Sequence, residues 1–246
     1  MAVSENVSIP RSLWQEPERP SATVDWPALH FRDVFKIYRS GPVETVALRG
    51  LELRVQQREF LAVLGPSGCG KSTMLALAAA LDQPSAGEVR VGERALQRLA
   101  EPELADYRAR RVALVFQSEN LWPSLSAREN VTASLRLAAI GDLDTAADDA
   151  LDMFGLAARA RNPVGGLSGG EQQRVAIAAA FGRRAALVLA DEPTGELDAG
   201  NEQRVLEALR LLRDQGGSTV VVVTHSSRVA SAADRVVEMR DGRAVS

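Results

Sequence analysis

The chain beyond residue 28 alternates between short apolar runs and segments with helical spacing. A continuous apolar run of about five residues is typical of a strand that is buried on both faces of a sheet. Other segments are rich in β-branched and aromatic residues and also predict strands. The runs that predict buried strands are 60–64, 187–190 and 219–224, and the β-rich segments are 29–38 and 46–55.

Helical patterns fill the spaces between these strands. Residues 201–213 place four apolar side chains on one side of a helix, and residues 74–81 form an apolar run after a glycine-rich loop. Strands that alternate with helices indicate an α/β core with a mainly parallel sheet. Residues 126–160 contain few β-branched residues and many alanines and leucines, so they predict a helical lobe, about 118–165, inserted into that core.

The first 27 residues lack any such period and hold four of the eleven prolines. We therefore expect residues 1–27 to be a flexible tail and residues 28–246 to form the folded domain. Trp14 and Trp26 are unusual in a tail. Either they rest incidentally on the domain surface or they anchor a partner, and the sequence leaves both interpretations open.

Composition narrows the class of protein. The 246 residues are 46% hydrophobic and 25% charged, the balance of a globular protein, and the formal net charge of −3 argues against a nucleic-acid binder. A single cysteine fits a reducing compartment. No run approaches the roughly 20 apolar residues that span a bilayer, and the N-terminus lacks the pattern of a secretory signal. The sequence thus predicts a cytoplasmic protein that needs a membrane-spanning partner if it works at a membrane.

A glycine-rich loop follows the first buried strand. Residues 65–72 fit the phosphate-binding pattern Gly-x-x-x-x-Gly-Lys-Ser, and they lie between a strand and the start of a helix, as the mechanism requires. Glycines let backbone N–H groups approach phosphate oxygens, and the helix directs its positive end at the same anion. Lys71 would reach the β- and γ-phosphates, Ser72 would ligate Mg²⁺, and Thr73 would bind a phosphate.

Polar residues that end the other two buried strands are candidate catalytic groups. Asp191 and Glu192 follow four apolar residues, and His225 follows the run 219–224. An aspartate beside a phosphate loop can hold Mg²⁺, which prefers oxygen ligands. Glu192 is placed to orient or deprotonate the water that attacks the γ-phosphate. His225 by itself could equally be a structural histidine.

The segment Leu167-Ser-Gly-Gly-Glu-Gln-Gln-Arg174 adds a specific signature. With it the chain resembles the nucleotide-binding domain of ATP-binding cassette (ABC) transporters, over about residues 29–246. The resemblance implies a P-loop NTPase α/β core with a mainly parallel sheet, an N-terminal antiparallel β subdomain and an inserted α-helical subdomain. It also implies ATP and Mg²⁺ as cofactors, and Mg²⁺-dependent ATP hydrolysis coupled to transport.

The resemblance gives each motif residue a role. Tyr38 matches the aromatic residue that stacks on adenine, Gln117 matches the glutamine that contacts Mg²⁺ and water, and His225 matches the switch histidine at the γ-phosphate. The implied catalytic residues are Lys71, Gln117, Glu192 and His225, and the implied metal ligands are Ser72, Gln117 and Asp191. The implied nucleotide-binding residues are Tyr38, Gly65, Pro66, Ser67, Gly68, Cys69, Gly70, Lys71, Ser72, Thr73, Gln117, Ser168, Gly169, Gly170, Glu171, Asp198 and His225.

The resemblance also implies partners. In the family, two cassettes close head to tail around two ATP molecules, each held between one subunit's Lys71 loop and the other's Ser168 segment. This implies a second ATPase subunit, in a homodimer or a heterodimer, and transmembrane permease subunits that hold the protein at the cytoplasmic face of the membrane. Residues 115–131 and 191–198 are similar to the class that serves lipoprotein release, macrolide export and cell division. The loop Gly195–Asp198 would communicate across the dimer.

Other functions within the family stay open at this point. The chain could be a mechanotransmission ATPase that acts on a membrane complex without transport, or a soluble ABC ATPase that acts on nucleic acid or ribosomes. The second class usually carries two cassettes, zinc fingers or long coiled coils, and none is visible in the sequence. A regulatory subunit that only binds ATP would not need Glu192 and His225. The sequence does not identify a substrate.

Overall fold

The computed structural model describes residues 28–41, 43–118 and 120–245. The predicted tail, residues 1–27 with Trp14 and Trp26, lies outside the described residues. The strands are β1 (Leu29–Ser40), β2 (Val43–Val55), β3 (Phe60–Leu64), β4 (Ala86–Val91), β5 (Arg94–Ala95), β6 (Val112–Val115), β7 (Leu187–Asp191), β8 (Thr219–Val223), β9 (Arg235–Arg240) and β10 (Arg243–Val245). The α-helices are α1 (Lys71–Ala78), α2 (Glu101–Arg110), α3 (Ala127–Leu137), α4 (Leu143–Met153), α5 (Gly169–Gly182), α6 (Ala199–Asp214) and α7 (Ser227–Ala232).

Six strands form the central sheet, in the order β10-β9-β3-β8-β7-β6. All neighbours are parallel except β9 and β10, which form an antiparallel hairpin. The other four strands form an antiparallel sheet in the order β2-β1-β4-β5. β1 and β2 pair from Leu29↔Val55 to Ser40↔Val43, so this sheet begins as one long hairpin. The predicted fold class, a P-loop NTPase-type α/β fold, is confirmed.

Alternate residues of the central strands face two different hydrophobic clusters. On β8, Val220 and Val222 join the cluster that includes α3 to α6, whereas Val221 and Val223 join the cluster that includes α1 and the antiparallel sheet. All four side chains are fully buried, and each contributes roughly 1.5–3 kcal/mol by burial. This two-sided burial explains why the strand is an unbroken apolar run rather than an alternating one.

Two helices, α3 and α4, occupy the segment for which the sequence predicts a helical lobe. At the start of α3, the Glu129 amide donates to the Ser126 hydroxyl at 3.2 Å, and the Ser126 amide donates to the Glu129 carboxylate at 2.7 Å. This capping box fixes where the helix begins. Arg128 then forms an ion pair with Asp148 of α4 at 2.6 Å. The boundaries of the lobe, 118–165, stay a prediction.

Several elements give only weak signals in the sequence. The strands β4, β6, β9 and β10 and the helix α2 are not among the predicted elements. β9 shows the reason: it mixes arginine, glutamate and valine and buries only Val237 and Met239. In the described part of the chain, no helix combines the length and the apolar character that a membrane span requires.

Arg183 joins the end of α5 to the end of α2. Its Nη2 donates to three backbone carbonyls, those of Arg108, Ala109 and Val112, at 2.8, 2.6 and 3.0 Å. The last carbonyls of a helix have no intrahelical partner, so the guanidinium supplies two bonds that the end of α2 lacks and a third to the first carbonyl of β6. Burial lowers the pKa of Arg183, but the group stays charged because an arginine is protonated throughout the physiological range.

We expect Arg183→Met to lower the free energy of unfolding by about 1–3 kcal/mol, because three carbonyls lose a charged donor while the apolar stem is kept. Arg136→Met, at an exposed position of α3, is the control and should change it by less than about 0.5 kcal/mol. Denaturant unfolding measures both variants. An Arg183→Met protein as stable as the control would contradict this role.

Candidate functional site

Three neighbouring strands of the central sheet end at one edge. β3, β8 and β7 are adjacent and parallel, so their carboxyl ends lie together, where open α/β sheets bind their ligands. The phosphate loop, residues 65–70, follows β3, Asp191 and Glu192 lie at the end of β7, and His225 follows β8. The sheet order therefore brings together groups that are far apart in the sequence.

Backbone contacts hold the phosphate loop from two sides. Gly70 has a φ of +104°, and a Cβ there would lie 2.5 Å from a carbonyl oxygen of β2. On the other side, the Gly242 amide of the β9–β10 turn donates to the Cys69 carbonyl at 3.0 Å. A Cβ on Gly65 would come within 2.2 Å of a carbonyl oxygen of β9. Close backbone approach thus requires glycine at both ends of the loop.

Lys71 is folded back onto this loop. Its Nζ donates to the Gly65 carbonyl at 2.7 Å and to the Pro66 carbonyl at 2.9 Å, and the residue is only 7% exposed. A buried ammonium group needs such partners. At the start of α1, the same Nζ can exchange the carbonyls for phosphate oxygens, which form stronger, charge-assisted bonds. Ser67 and Gly68 are exposed at the tip of the loop.

The first turn of α1, which also carries Thr73, meets the end of β7 through one hydrogen bond. Ser72 Oγ donates to Asp191 Oδ2 at 2.7 Å. Two oxygen ligands side by side suit Mg²⁺, which takes few protein ligands and completes its shell with water and phosphate. Across the described ranges, no group of three or more His, Cys, Asp or Glu side chains could hold a metal. Ser72 and Asp191 suit a metal whose remaining ligands are water and the phosphates of a nucleotide.

Glu192 and His225 face each other across the strand ends. Glu192 Oε2 accepts a hydrogen bond from the His225 backbone amide at 3.2 Å, and Oε1 lies 3.3 Å from the imidazole Nε2. Glu192 has a φ of +48°, a conformation that costs a non-glycine residue on the order of 1–3 kcal/mol. Its amide donates to the Val223 carbonyl of β8 at 2.9 Å. β8 therefore holds the strained turn and sets the carboxylate beside the histidine.

Gln117 lies beside the loop Gly195–Asp198. A Cβ on Gly195 would come 3.2 Å from Gln117 Nε2. Among residues 28–41, 43–118 and 120–245, no hydrogen bond joins the Gln117 side chain to Ser72 or Asp191. The metal contact of Gln117 stays a prediction.

Gln173 is a site residue that the sequence reasoning missed. It lies on α5, is 4% exposed, and its Nε2 donates to the Phe116 carbonyl at 2.8 Å and to the Gln117 carbonyl. It therefore fixes the backbone of the segment that carries Gln117. The available signal was a polar side chain on the inward side of a helix whose neighbours, from Val175 to Ala180, are buried and apolar.

The predicted signature forms the start of α5. Glu171 N–H donates to Ser168 Oγ at 3.3 Å, and Ser168 N–H donates to the Glu171 carboxylate at 2.9 Å. The hydrogen bond from the Ser168 amide is the main cause of the lowered pKa of Glu171. A Cβ on Gly170 would come 2.6 Å from Asn201 Oδ1, and one on Gly169 would contact Leu197, so the signature packs against the start of α6.

The signature and the phosphate loop are separate within one chain. Ser168 is exposed, and no hydrogen bond or ion pair in the described part of the chain connects it to the loop of Lys71. Asp198 caps α6 beside the signature, where its Oδ1 accepts bonds from the Gly200 and Asn201 amides at 2.9 and 3.0 Å. The bond from Asn201 is the main cause of the lowered pKa of Asp198, so this carboxylate is ionised at neutral pH.

Tyr38 lies near the end of β1, in the antiparallel sheet. The residue is 41% exposed, and its hydroxyl donates to Asp82 Oδ2 at 3.0 Å. An exposed aromatic ring held at one end can stack on a base. The sequence reasoning missed Asp82, because an aspartate after a helix has no pattern that points to a tyrosine 44 residues earlier.

Comparison with known proteins gives one consistent family. The profile of the family described as ABC transporter matches residues 48–195. The lipoprotein-releasing system ATP-binding protein LolD of Geobacter metallireducens is 42% identical over 219 residues, which are 88% of this chain and 97% of that protein. The macrolide export ATP-binding/permease protein MacB of Bdellovibrio bacteriovorus is 37% identical over 87% of this chain, which spans only 33% of that longer protein. The dimeric structure of a post-hydrolysis state of the ATP-binding cassette MJ0796, bound to ADP and Pi, superposes with a TM-score of 0.81 at 36% identity, covering 89% of this chain and 97% of that chain.

We expect Gly70→Ala to weaken nucleotide binding by at least about tenfold, since the new Cβ would displace either the phosphate loop or β2. Gly92→Ala is the matched control: Gly92 also has a positive φ, of +55°, but a Cβ there would meet nothing within 4 Å. The control should lose a little stability and keep its affinity. Titration calorimetry with ATP measures both, and equal affinities in the two variants would refute the steric argument.

Proposed function

The chain belongs to the ABC transporter family and is the ATP-binding and ATP-hydrolysing subunit of a transporter. We propose that it works as a head-to-tail dimer that drives a membrane-spanning partner. One observation carries the catalytic part of this proposal: the phosphate loop, the Ser72–Asp191 pair and the Glu192–His225 pair all lie at one edge of the sheet. Such an arrangement offers a phosphate cradle, oxygen ligands for a metal, and a carboxylate with a histidine beside them.

In this proposal, the triphosphate of ATP lies against the amides of the phosphate loop. Lys71 turns from the carbonyls of Gly65 and Pro66 to the β- and γ-phosphates. Ser72 and Asp191 hold Mg²⁺, which would neutralise part of the phosphate charge, and their 2.7 Å contact supports this pairing. Tyr38 takes the base.

Glu192 orients the attacking water and accepts its proton, and His225 holds the γ-phosphate. Phosphoryl transfer asks little covalent chemistry of a protein, so positioning and charge stabilisation supply most of the rate enhancement. The strained turn at Glu192 supports this assignment, because backbone strain of this kind clusters at functional sites. Gln117, carried by a backbone that Gln173 holds, would sense the bound nucleotide and lead into the helical lobe.

A second subunit completes the site. The start of α5 presents an exposed hydroxyl and helix amides, which suit a phosphate, yet no hydrogen bond in the described part of the chain links Ser168 to the phosphate loop. A head-to-tail dimer would place Ser168, Gly169 and Gly170 of each subunit over the nucleotide of the other. Asp198, ionised and exposed beside the signature, would lie at the same interface.

A groove between α3 and the core, lined by apolar side chains and by Asn120, Asn130, Ser134 and Arg183, supports docking of a membrane-spanning permease. Trp122 is 57% exposed and Leu137 64% exposed, and both line a cavity of about 150 Å³ together with Leu114 and Ala176. Clustered large apolar side chains at a surface mark a site for a partner. A permease docked there would hold the protein at the cytoplasmic face of the membrane and would receive the motion of the helical lobe.

We expect Glu192→Gln to slow ATP hydrolysis by about a hundredfold or more while ATP affinity stays within a fewfold of the parent, because the amide keeps the shape but cannot accept the proton. Glu207→Gln, the same change at an exposed position of α6, is the control and should hydrolyse normally. Phosphate release and equilibrium ATP binding are measured for both. Normal turnover in Glu192→Gln would remove this residue from the mechanism.

We also expect ATP to promote a disulfide between subunits when cysteines replace Ser67 and Ser168 in a Cys69→Ala background. Both positions are exposed, and the proposed dimer brings the two segments of opposite subunits together. The control has cysteines in place of Ser67 and Arg98, because Arg98 is an exposed position outside the proposed interface. Non-reducing gels with and without ATP give the result. No ATP-dependent bond at the Ser67–Ser168 pair would reject the head-to-tail arrangement.

A further inference from the structure

Two side chains, Asp82 and Lys36, hold the ring of Tyr38. The Tyr38 hydroxyl donates to Asp82 Oδ2 at 3.0 Å, and Lys36 Nζ donates to Asp82 Oδ1 at 2.5 Å and to the Gln83 carbonyl at 2.8 Å. The Lys36 ammonium also lies over the Tyr38 ring, 4.8 Å from its centroid. One carboxylate therefore holds both the tip of the ring and the cation over one of its faces.

The Asp82 carboxylate is suited to hold two donors at once. Partial burial raises its pKa, but the hydrogen bonds from Lys36, the Gln83 amide and Tyr38 outweigh that effect, and the pKa lies below its ordinary value. The group is therefore ionised at neutral pH and forms charge-assisted bonds. The Lys36 side chain is 12% exposed, so the cation is packed in place rather than free in solvent. With Lys36 over one face, the ring offers its other face to a base.

The segment that carries Asp82 is fastened to the strand that carries Tyr38. The Ile37 amide of β1 donates to Ser85 Oγ at 3.0 Å, and the Ser85 amide donates to the Phe35 carbonyl at 2.8 Å. Asp82 also follows α1, whose first turn belongs to the phosphate loop. The carboxylate is thus a fixed partner, and one short helix connects it to the phosphate-binding residues.

We propose that Asp82 is a positioning residue for base recognition, which fixes the Tyr38 ring, through its hydroxyl and through Lys36, in the orientation that stacks on the adenine of ATP. This inference rests on the proposed function, because it takes Tyr38 as the residue that stacks on the base. A ring that is ordered before binding loses less conformational freedom when the base arrives. Asp82 therefore raises the affinity for ATP without touching it, and it leaves phosphate binding unchanged.

The test compares ATP with inorganic tripolyphosphate, which has phosphates but no base, on the full-length protein with Mg²⁺. Asp82→Ala and Tyr38→Phe should each raise the Kd and the KM for ATP about two- to tenfold, the effect of one or two lost hydrogen bonds. The kcat should stay within about twofold, and the Kd for tripolyphosphate should not change. Glu44→Ala, which removes an exposed ion pair with Arg39 from the same hairpin, is the control and should leave every constant unchanged.

A double-substitution comparison tests the route through Tyr38 and Lys36. In a Lys36→Met, Tyr38→Phe background, Asp82→Ala should cause no further loss of ATP affinity, since the two side chains through which it acts on the base are already gone. An undiminished effect in that background would overturn the proposal. If Asp82→Ala alone is poorly folded, Asp82→Asn carries the test, because it keeps one acceptor oxygen and should show a smaller loss of the same kind.

Two further outcomes would overturn the role of Asp82. One variant, Tyr38→Ala, shows whether the role of Asp82 or the proposed base site is wrong. Unchanged ATP affinity in Asp82→Ala, or an equal loss for ATP and tripolyphosphate, would show that Asp82 does not act on the base. Tyr38→Ala should weaken ATP binding roughly tenfold or more. If it does not, the proposed base site itself is wrong. If it does while Asp82→Ala has no effect, only the role of Asp82 fails.

Discussion

The central strands β3, β7 and β8 are buried on both faces, and this burial fixes where the polar residues at their ends must lie. A one-residue slip of β8 would exchange valines between two clusters that are both apolar, so apolar burial alone does not set the register. The polar residues that follow the strands set the register, because a slip toward the core would bury Asp191, Glu192 or His225 without their present partners. The same residues that offer chemistry at the sheet edge therefore also align the strands.

The side chains of the site already have fixed partners, and the backbone at Glu192 is strained. Lys71 is satisfied by carbonyls that a phosphate can replace, Ser72 is already bonded to Asp191, and Glu192 keeps a left-handed backbone beside His225. Neighbouring backbone supports Lys71 and Glu192, whereas Ser72 and Asp191 hold each other. A nucleotide thus meets groups whose positions are set in advance, which lowers the cost of organising them during the reaction.

Much of the fold could be predicted from the sequence, since buried strands and glycine loops have strong local patterns. The run 60–64 is β3, and residues 187–190 and 219–224 match β7 and β8 within one residue. β9 could not be found in this way, because half of its residues are exposed and its pairing with β3 comes from distant sequence. The motif residues of the site could also be predicted, because they too form short patterns with fixed spacing.

The supporting residues of the site could not be predicted from such patterns. Asp82 and Gln173 act on groups that are near only in three dimensions: one bonds a tyrosine of β1, and the other bonds carbonyls 56 and 57 residues away. Ser226 is similar, since its hydroxyl bonds Glu202 of α6 and links the histidine loop to the helix that Asp198 caps. The local sequence marks Gln173 as an inward polar residue, but it does not identify the partner of any of these side chains, because each contact depends on how two elements pack.

The turn between β9 and β10 has a consequence for the order of events during synthesis. Residues 65–70 emerge early, but their native form depends on the Gly242 amide and on the backbone of β9, which are made much later. A growing chain can therefore contain the whole glycine loop, its lysine and the following helix and still lack a wall of the nucleotide cradle. Domains fold as units once their last essential contacts exist. A nucleotide cradle of native shape therefore requires that β9 and the β9–β10 turn have been synthesised, long after the glycine loop itself.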